Sequence, residues 1–168
     1  DHGEAFFEHG MYMHEQAYEH CSRVPLMIKF PGGRFAGTRV DTPVQTVDFF
    51  PTVLDVLGMP VADAPPDGRS LLALLEGRAE PRTIAYTRRH DVNAVRTQHW
   101  KYMNNARDDT HELYHLAEDP AEQHNRYDEN PPPRGPLARE LHTFYNLDSS
   151  GWHVRLHGGA EPTSVAVQ

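Results

Sequence analysis

Cysteine is nearly absent. Cys21 stands alone among 168 residues, which excludes an internal disulfide framework and any zinc cluster built on cysteine. No run of about 18 apolar residues occurs, so nothing reads as a transmembrane helix. Positive charge is also scarce. Sixteen Lys and Arg face 24 Asp and Glu for a formal net charge of −8, which argues against a general binder of nucleic acid or anionic membrane. Apolar residues reach 38% and mean hydropathy is −0.68. The length suits one compact domain, or a domain with a small appendage, and the composition supports a core while leaving part of the chain as loop or tail. An initiating Met is missing as well. Asp1 opens the chain with no signal-peptide pattern after it, as expected of a processed chain or the tail of a longer one, and the compartment stays open.

Histidine is plentiful by contrast. There are twelve, and His2, His9, His14 and His20 crowd the first 20 positions. From Asp1 to Tyr12 the text is rich in Gly, acid and His without a sustained period, and reads as loop. Val24-Pro25-Leu26-Met27-Ile28-Lys29-Phe30 is a short apolar run closed by Pro31-Gly32-Gly33, the pattern of a buried strand ending in a turn. Val40 suggests a second short strand that stops before Pro43. A helix follows: Phe49, Val53, Val56 and Leu57 fall at i, i+4, i+7 and i+8, a core-facing stripe. Asp48 is expected to cap it by accepting from the Phe50 N–H, Pro51 is tolerated in the first turn, and Gly58 and Pro60 stop it. Asp63 to Gly68 reads as a Pro/Asp loop, and Ser70 as the cap of a short Leu71–Leu75 helix ending near Gly77.

From Arg82 the texture changes to β-like runs at Thr83–Thr87, Ala94–Thr97, Trp100–Met103 and Glu112–Leu116. Turn-rich text separates them, as in a small antiparallel meander. Asn130 and three prolines break it, and a last helix carries Leu137, Leu141, Phe144 and Tyr145 on one face. After Asp148 a loose tail is expected. The organisation expected is an α/β part over residues 1–80, an antiparallel subdomain with a packing helix over 81–147, and a tail over 148–168.

Asp1-His2-Gly3 is the densest chemical signal. A carboxylate and an imidazole side by side reach one cation only where the backbone turns sharply, which Gly3 permits. Mixed oxygen and nitrogen ligation suits Ca²⁺, Mn²⁺, Zn²⁺ or Mg²⁺, depending on the remaining ligands. The plain alternative is a solvated Asp-His pair. A four-histidine zinc site from His2, His9, His14 and His20 is disfavoured, because spacings of 7, 5 and 6 lack the helical i, i+4 pairing. Arg88, Arg89 and His90 form a cationic cluster just after a strand. It is either a solvated charge run or a rim that meets an anionic substrate.

The surrounding text adds a resemblance. Asp1-His2-Gly3-Glu4-Ala5-Phe6-Phe7-Glu8-His9-Gly10 and Arg23-Val24-Pro25-Leu26 are the first stretches that carry it. Val47-Asp48-Phe49-Phe50-Pro51-Thr52, Asp67-Gly68-Arg69-Ser70, Trp100-Lys101-Tyr102 and Glu112-Leu113-Tyr114 follow in order, closed by Asp119-Pro120, Glu122 and Asn125. Over roughly residues 1–145 this resembles the C-terminal portion of a sulfatase, in the alkaline-phosphatase-like superfamily. The resemblance implies part of an α/β sheet domain followed by a small antiparallel β subdomain with a C-terminal helix. It implies that Asp1 and His2 are the second pair of metal ligands, with Ca²⁺ the leading ion. It implies that His14 contacts the sulfuryl group or the leaving-group oxygen, with His90 as a further substrate contact. The substrate would be a small anionic sulfate ester. The first ligand pair and the formylglycine nucleophile are expected in an upstream part of the same domain. Glu8 and His9 are expected to buttress the loop, and His20 to be structural.

Cys21-Ser22-Arg23 is not the family's C-x-P-x-R. Arg23 follows Cys21 by two residues rather than four, so Cys21 reads as a packing residue and not a nucleophile. With half a site, the isolated chain is expected to show no turnover. Two further readings stay open: a phosphonate or phosphodiester hydrolase or phosphoglycerol transferase of the same superfamily, and a binding module that has lost catalysis.

Overall fold

A computed structural model describes residues 1–60 and 68–145. The Pro/Asp loop up to residue 67 and the tail over 148–168 lie outside the described residues. The strongest local signals produce the elements they promise. Helix α2 runs Phe49–Val56, and Gly58 adopts φ 65 just past its end, a left-handed conformation that glycine accepts without strain. Helix α3, Leu71–Leu75, is capped by Ser70, whose hydroxyl accepts from the Ala73 N–H at 3.1 Å. Four strands, β3 (Ala85–Arg89), β4 (Val92–Arg96), β5 (Trp100–Asn105) and β6 (Thr110–His115), form the antiparallel meander in sequential order. Helix α4 spans Arg134–Tyr145.

Alternation along the strands gives the sheet two buried faces. One face sends Val95, Tyr102 and Leu113 against Leu137 and Leu141 of α4. Tyr86 extends this packing by stacking on Phe144 at 3.6 Å between centroids. The other face sends Ala94, Met103 and Tyr114 against Ala17, with Tyr18 packed alongside. Here the chain entering from the N-terminal side lays helix α1, Glu19–Ser22, onto the sheet. Glu19 is the anchor. Its side chain meets Arg96 at 3.1 Å and Lys101 at 3.2 Å, while its N–H donates to Glu122 at 2.6 Å. The Lys101 ammonium, 1% exposed, also lies 2.9 Å from Glu122.

Four expectations need correcting. Residues 1–12 are not all loop: strands β1 (Ala5–Phe6) and β2 (Tyr12–Met13) pair antiparallel around a short 3-10 turn at Glu8–Gly10. The run Val24–Phe30 forms no strand. Met27 is 90% exposed and only Phe30 is buried, because no described strand lies alongside to take its backbone hydrogen bonds. Val40 likewise lies outside any strand and is exposed. Asp48 does not cap α2. Its carboxylate is drawn off by the N–H groups of Gln45 and Arg69, each at 2.8 Å, and by the Arg82 guanidinium at 2.7 Å.

The apolar stripe of α2 also turns the other way from expectation. Pro51 and Thr52 are its buried residues, with Thr52 accepting from the Leu71 N–H, whereas Phe49, Phe50, Val53 and Leu57 are exposed. Periodicity marks an apolar face but does not supply the surface that covers it.

Buried tyrosines tie the sheet to pH. Burial pushes the Tyr102 and Tyr145 hydroxyls up to about 12 from 10.0. Tyr114 and Tyr18 are raised as well, by burial first and then by the neighbouring Glu112 carboxylate. A phenol whose folded value exceeds its unfolded value favours the folded state while neutral. That stability is present below the unfolded value and is lost as pH rises through the folded one. Urea midpoints should therefore hold between pH 8 and about 10 and fall between about 10 and 12. Tyrosinate absorbance should lag behind that of the unfolded chain, and coincident titrations would contradict the assignment.

Candidate functional site

Gly3 is the pivot of the N-terminal segment. Its N–H donates to the Cys21 carbonyl at 2.8 Å, and a Cβ at this position would sit 2.0 Å from the His20 carbonyl oxygen. Only glycine lets the chain pass this close to α1, which fixes the direction of the residues on either side. From there β1 and β2 fold back on each other with Ala5 opposite Met13 and Phe6 opposite Tyr12. Gly10, at φ 71, completes the turn between them.

The hairpin brings residues distant in sequence together one step beyond its last pair. Glu4 Oε2 and His14 Nδ1 are 3.2 Å apart. The His2 ring lies against that of His14, with centroids 4.2 Å apart and planes inclined by 32°. His2 Nε2 is 3.8 Å from the Asp1 carboxylate, and His2 Nδ1 lies 2.9 Å from the Gly3 carbonyl, which acts as acceptor and so holds the proton on that nitrogen. Asp1, His2, Glu4 and His14 thus form one constellation. Asp1, His2 and His14 line an open cleft of about 1330 Å³ whose walls also include Glu19, Arg96 and Lys101. Chemically, the constellation offers a carboxylate and an imidazole to a cation, and a second imidazole with a carboxylate behind it.

Other histidines lie elsewhere. His9 stacks on Tyr18 at 3.8 Å, and His20, 5.7 Å from the His9 ring, hydrogen-bonds Gln16 at 2.9 Å. Among the described residues, the close grouping of three potential metal-binding side chains is His2, Glu4 and His14 rather than four histidines. Burial lowers the tendency of His20 to take a proton. Glu8 accepts from the Phe6 N–H at 2.5 Å within the turn, and hydrogen bonding to its own backbone N–H first, then to that of Phe6, holds its carboxyl below the usual range. His90 and Arg89 are both engaged by Glu15, at 2.5 and 2.6 Å, and His90 is not among the residues lining the cleft. The Cys21 thiol is buried and pushed up by that burial, the opposite of an activated nucleophile.

Sequence reasoning assigned no role to Glu4, Glu15 or the buried Glu19–Lys101–Glu122 group. For Glu4 a signal existed: the aromatic pairs flanking Gly10 mark a hairpin whose register sets Glu4 opposite His14. For Lys101 none did, since a charged residue on a strand reads as exposed unless its partner is known.

Known proteins resemble the chain throughout. The family model described as N-sulphoglucosamine sulphohydrolase, C-terminal, matches residues 7–143. A choline-sulfatase of Rhizobium meliloti (strain 1021) is 32% identical over 174 residues, covering 99% of this chain and 33% of the relative. Among solved structures, a protein in complex with its substrate D-glucosamine-2-N,6-O-disulfate aligns with a TM-score of 0.65 and 28% identity, over 86% of this chain and 32% of that one. A phosphonate monoester hydrolase from Silicibacter pomeroyi, at 21% identity and TM-score 0.66 over 94% of this chain and 38% of its own, shares the fold. The chain spans about a third of the length of these relatives. With the match running from the N-terminal hairpin through α4, the chain belongs to the sulfatase family and corresponds to its C-terminal portion.

Proposed function

We propose that this chain supplies the metal-holding and leaving-group side of a sulfuric ester hydrolase site. The observation that carries this reading is the convergence of Asp1, His2 and His14 at the cleft, with the His2 and His14 rings 4.2 Å apart. Asp1 and His2 fit a divalent cation as half of a ligand set: an anionic oxygen and an imidazole nitrogen 3.8 Å apart, both reaching the cleft. Ca²⁺ is the leading ion, with Mn²⁺, Zn²⁺ and Mg²⁺ compatible with the same donors. A cation held there would neutralise charge on the sulfate oxygens. His14 donates to the leaving-group oxygen as negative charge develops on it, and an imidazolium at this position also delivers the proton. Glu4 holds the other side of that ring. The formylglycine nucleophile and the opposing carboxylates belong to an upstream part of the domain.

Two features support such a complement. The α2 residues Phe50, Val53 and Leu57 are each more than half exposed, and an apolar face of this kind calls for a covering surface. The cleft also exceeds the roughly 300–1,000 Å³ of ordinary small-molecule sites, as a seam between two parts of one domain would. In this reading residues 1–80 join the α/β part of the enzyme and residues 81–147 form the appended subdomain. The substrate is a small anionic sulfate ester. His90, held by Glu15, contributes at most at the rim. Among the described residues no helix is long and apolar enough to cross a membrane.

The deciding experiment is to sequence the coding region upstream of the Asp1 codon. The expected result is several hundred in-frame codons containing an Asp-Asp pair and C-x-P-x-R or its serine form. An in-frame stop with a nearby start would overturn the enzyme reading and leave a binding module. An upstream Thr or Ser outside that motif would replace sulfate chemistry with phosphorus chemistry.

A further inference from the structure

The structure assigns His2, Glu4 and His14 to a transition-metal site of their own, complete within this chain and selective for an ion of the Zn²⁺ class over Ca²⁺. Their ligand atoms all lie within 4.8 Å of one another, and the Glu4–His14 pair is already 3.2 Å apart. In a tetrahedral zinc site with bonds of about 2.0–2.1 Å, neighbouring ligand atoms are separated by about 3.3 Å. One edge of the polyhedron is therefore formed, and a modest rotation of the half-exposed His2 side chain closes the rest.

The donor chemistry sets the selectivity. Two imidazoles and one carboxylate favour a borderline transition ion, whereas Ca²⁺ requires six or more oxygens. The supporting contacts are those that a metal-bound histidine needs. His2 Nδ1 lies 2.9 Å from the Gly3 carbonyl, which keeps its proton there and leaves Nε2 as the ligand nitrogen. Gly3 is itself locked to Cys21, and the β1–β2 register holds Glu4 opposite His14, so the three ligands come from a backbone that other contacts have fixed. His2 and His14 line an open cleft, which gives an entry path and a free coordination position, with Asp1 near enough to His2 to compete for it.

The site stands on this geometry alone. Its functional consequence rests on the sulfatase reading: zinc here withdraws His2 from the Asp1–His2 ion and His14 from the leaving group, so its occupancy is inhibitory.

The test uses the 168-residue chain without a histidine tag, titrated with ZnCl2 by calorimetry and with Co²⁺ by visible absorption. One equivalent of each ion should bind, with tetrahedral d–d bands for Co²⁺. Glu4→Gln and His14→Ala should each weaken binding by about tenfold or more. His124→Ala, which removes an exposed histidine paired with Glu129, should leave it unchanged. Paramagnetic broadening by Co²⁺ of the His2 and His14 ring signals in the unsubstituted chain gives the same answer without any variant. Absence of stoichiometric binding overturns the assignment, as does binding that ignores both substitutions or broadens other histidines. None of these results depends on turnover, so the metal site and the sulfatase reading fail separately.

Discussion

Lys101→Met should be among the most destabilising single substitutions in this chain, at about 3–5 kcal/mol. The ammonium is 1% exposed and lies 2.9 Å from Glu122, also 1% exposed, and 3.2 Å from Glu19. Removing it leaves two carboxylates facing one another inside the seam between α1 and the sheet. Glu19 keeps Arg96, at 3.1 Å, but Glu122 loses the neighbouring cation that offset its burial. Burial already pushes the Glu122 carboxyl up, against the pull of Lys101, and the substitution raises it further. A carboxyl whose folded value exceeds its unfolded value binds protons more readily in the folded state. The penalty is therefore full above the folded value and shrinks as pH falls from it toward the unfolded one, the reverse of an ordinary salt-bridged carboxylate.

Adding Glu122→Gln should recover part of the loss, because the amide oxygen still accepts from the Glu19 N–H now made at 2.6 Å. Urea denaturation of the two variants at neutral and acidic pH measures this directly. A Lys101→Met chain within about 1 kcal/mol of the parent at neutral pH would show that the seam tolerates unpaired charge.

His14→Ala carries the second large effect, on catalysis. In a sulfatase containing this segment, kcat/KM for alkyl sulfate esters should fall by about 10²–10⁴, the range for loss of a positioned general acid. Esters whose leaving alcohol is strongly acidic need little help and should lose far less, so the dependence of rate on leaving-group pKa should steepen. Glu4→Gln should move the same slope in the same direction by a smaller amount, because it acts through the orientation of His14. A loss equal for all leaving groups would assign His14 to binding or to the hairpin instead. A loss confined to KM would point to the sulfate oxygens and not the departing one.

What could be read in advance from this chain follows the range of the forces involved. Helices α2 and α3, the stops at Gly58 and Gly77, and the meander from β3 to β6 depend on neighbours a few residues away. A capping hydroxyl, a glycine at positive φ and short β-prone runs set between turns are all visible in one dimension. Asp1, His2 and His14 were also legible as candidates, because their types and order carry the family resemblance. Their meeting is a different matter. It depends on Gly3 fitting against the His20 carbonyl and on the register of a hairpin built from two-residue strands.

The same distinction explains the reversals. Val24–Phe30 has the composition of a buried strand, yet a strand exists only beside another, and no described neighbour pairs with it. The stripe on α2 has the right period and the wrong exposure, since burial is a property of two surfaces and the sequence of one helix describes a single surface. Asp48 stood at a cap position but was claimed by Arg69 and Arg82, which lie 21 and 34 residues further along. Lys101 entered the core only because Glu19 and Glu122 come from distant parts of the chain to meet it. The sequence by itself determined which segments turn, coil and alternate. The tertiary structure alone decided which faces are covered and which charges are paired, because desolvation and Coulombic pairing depend on proximity in space and not along the chain.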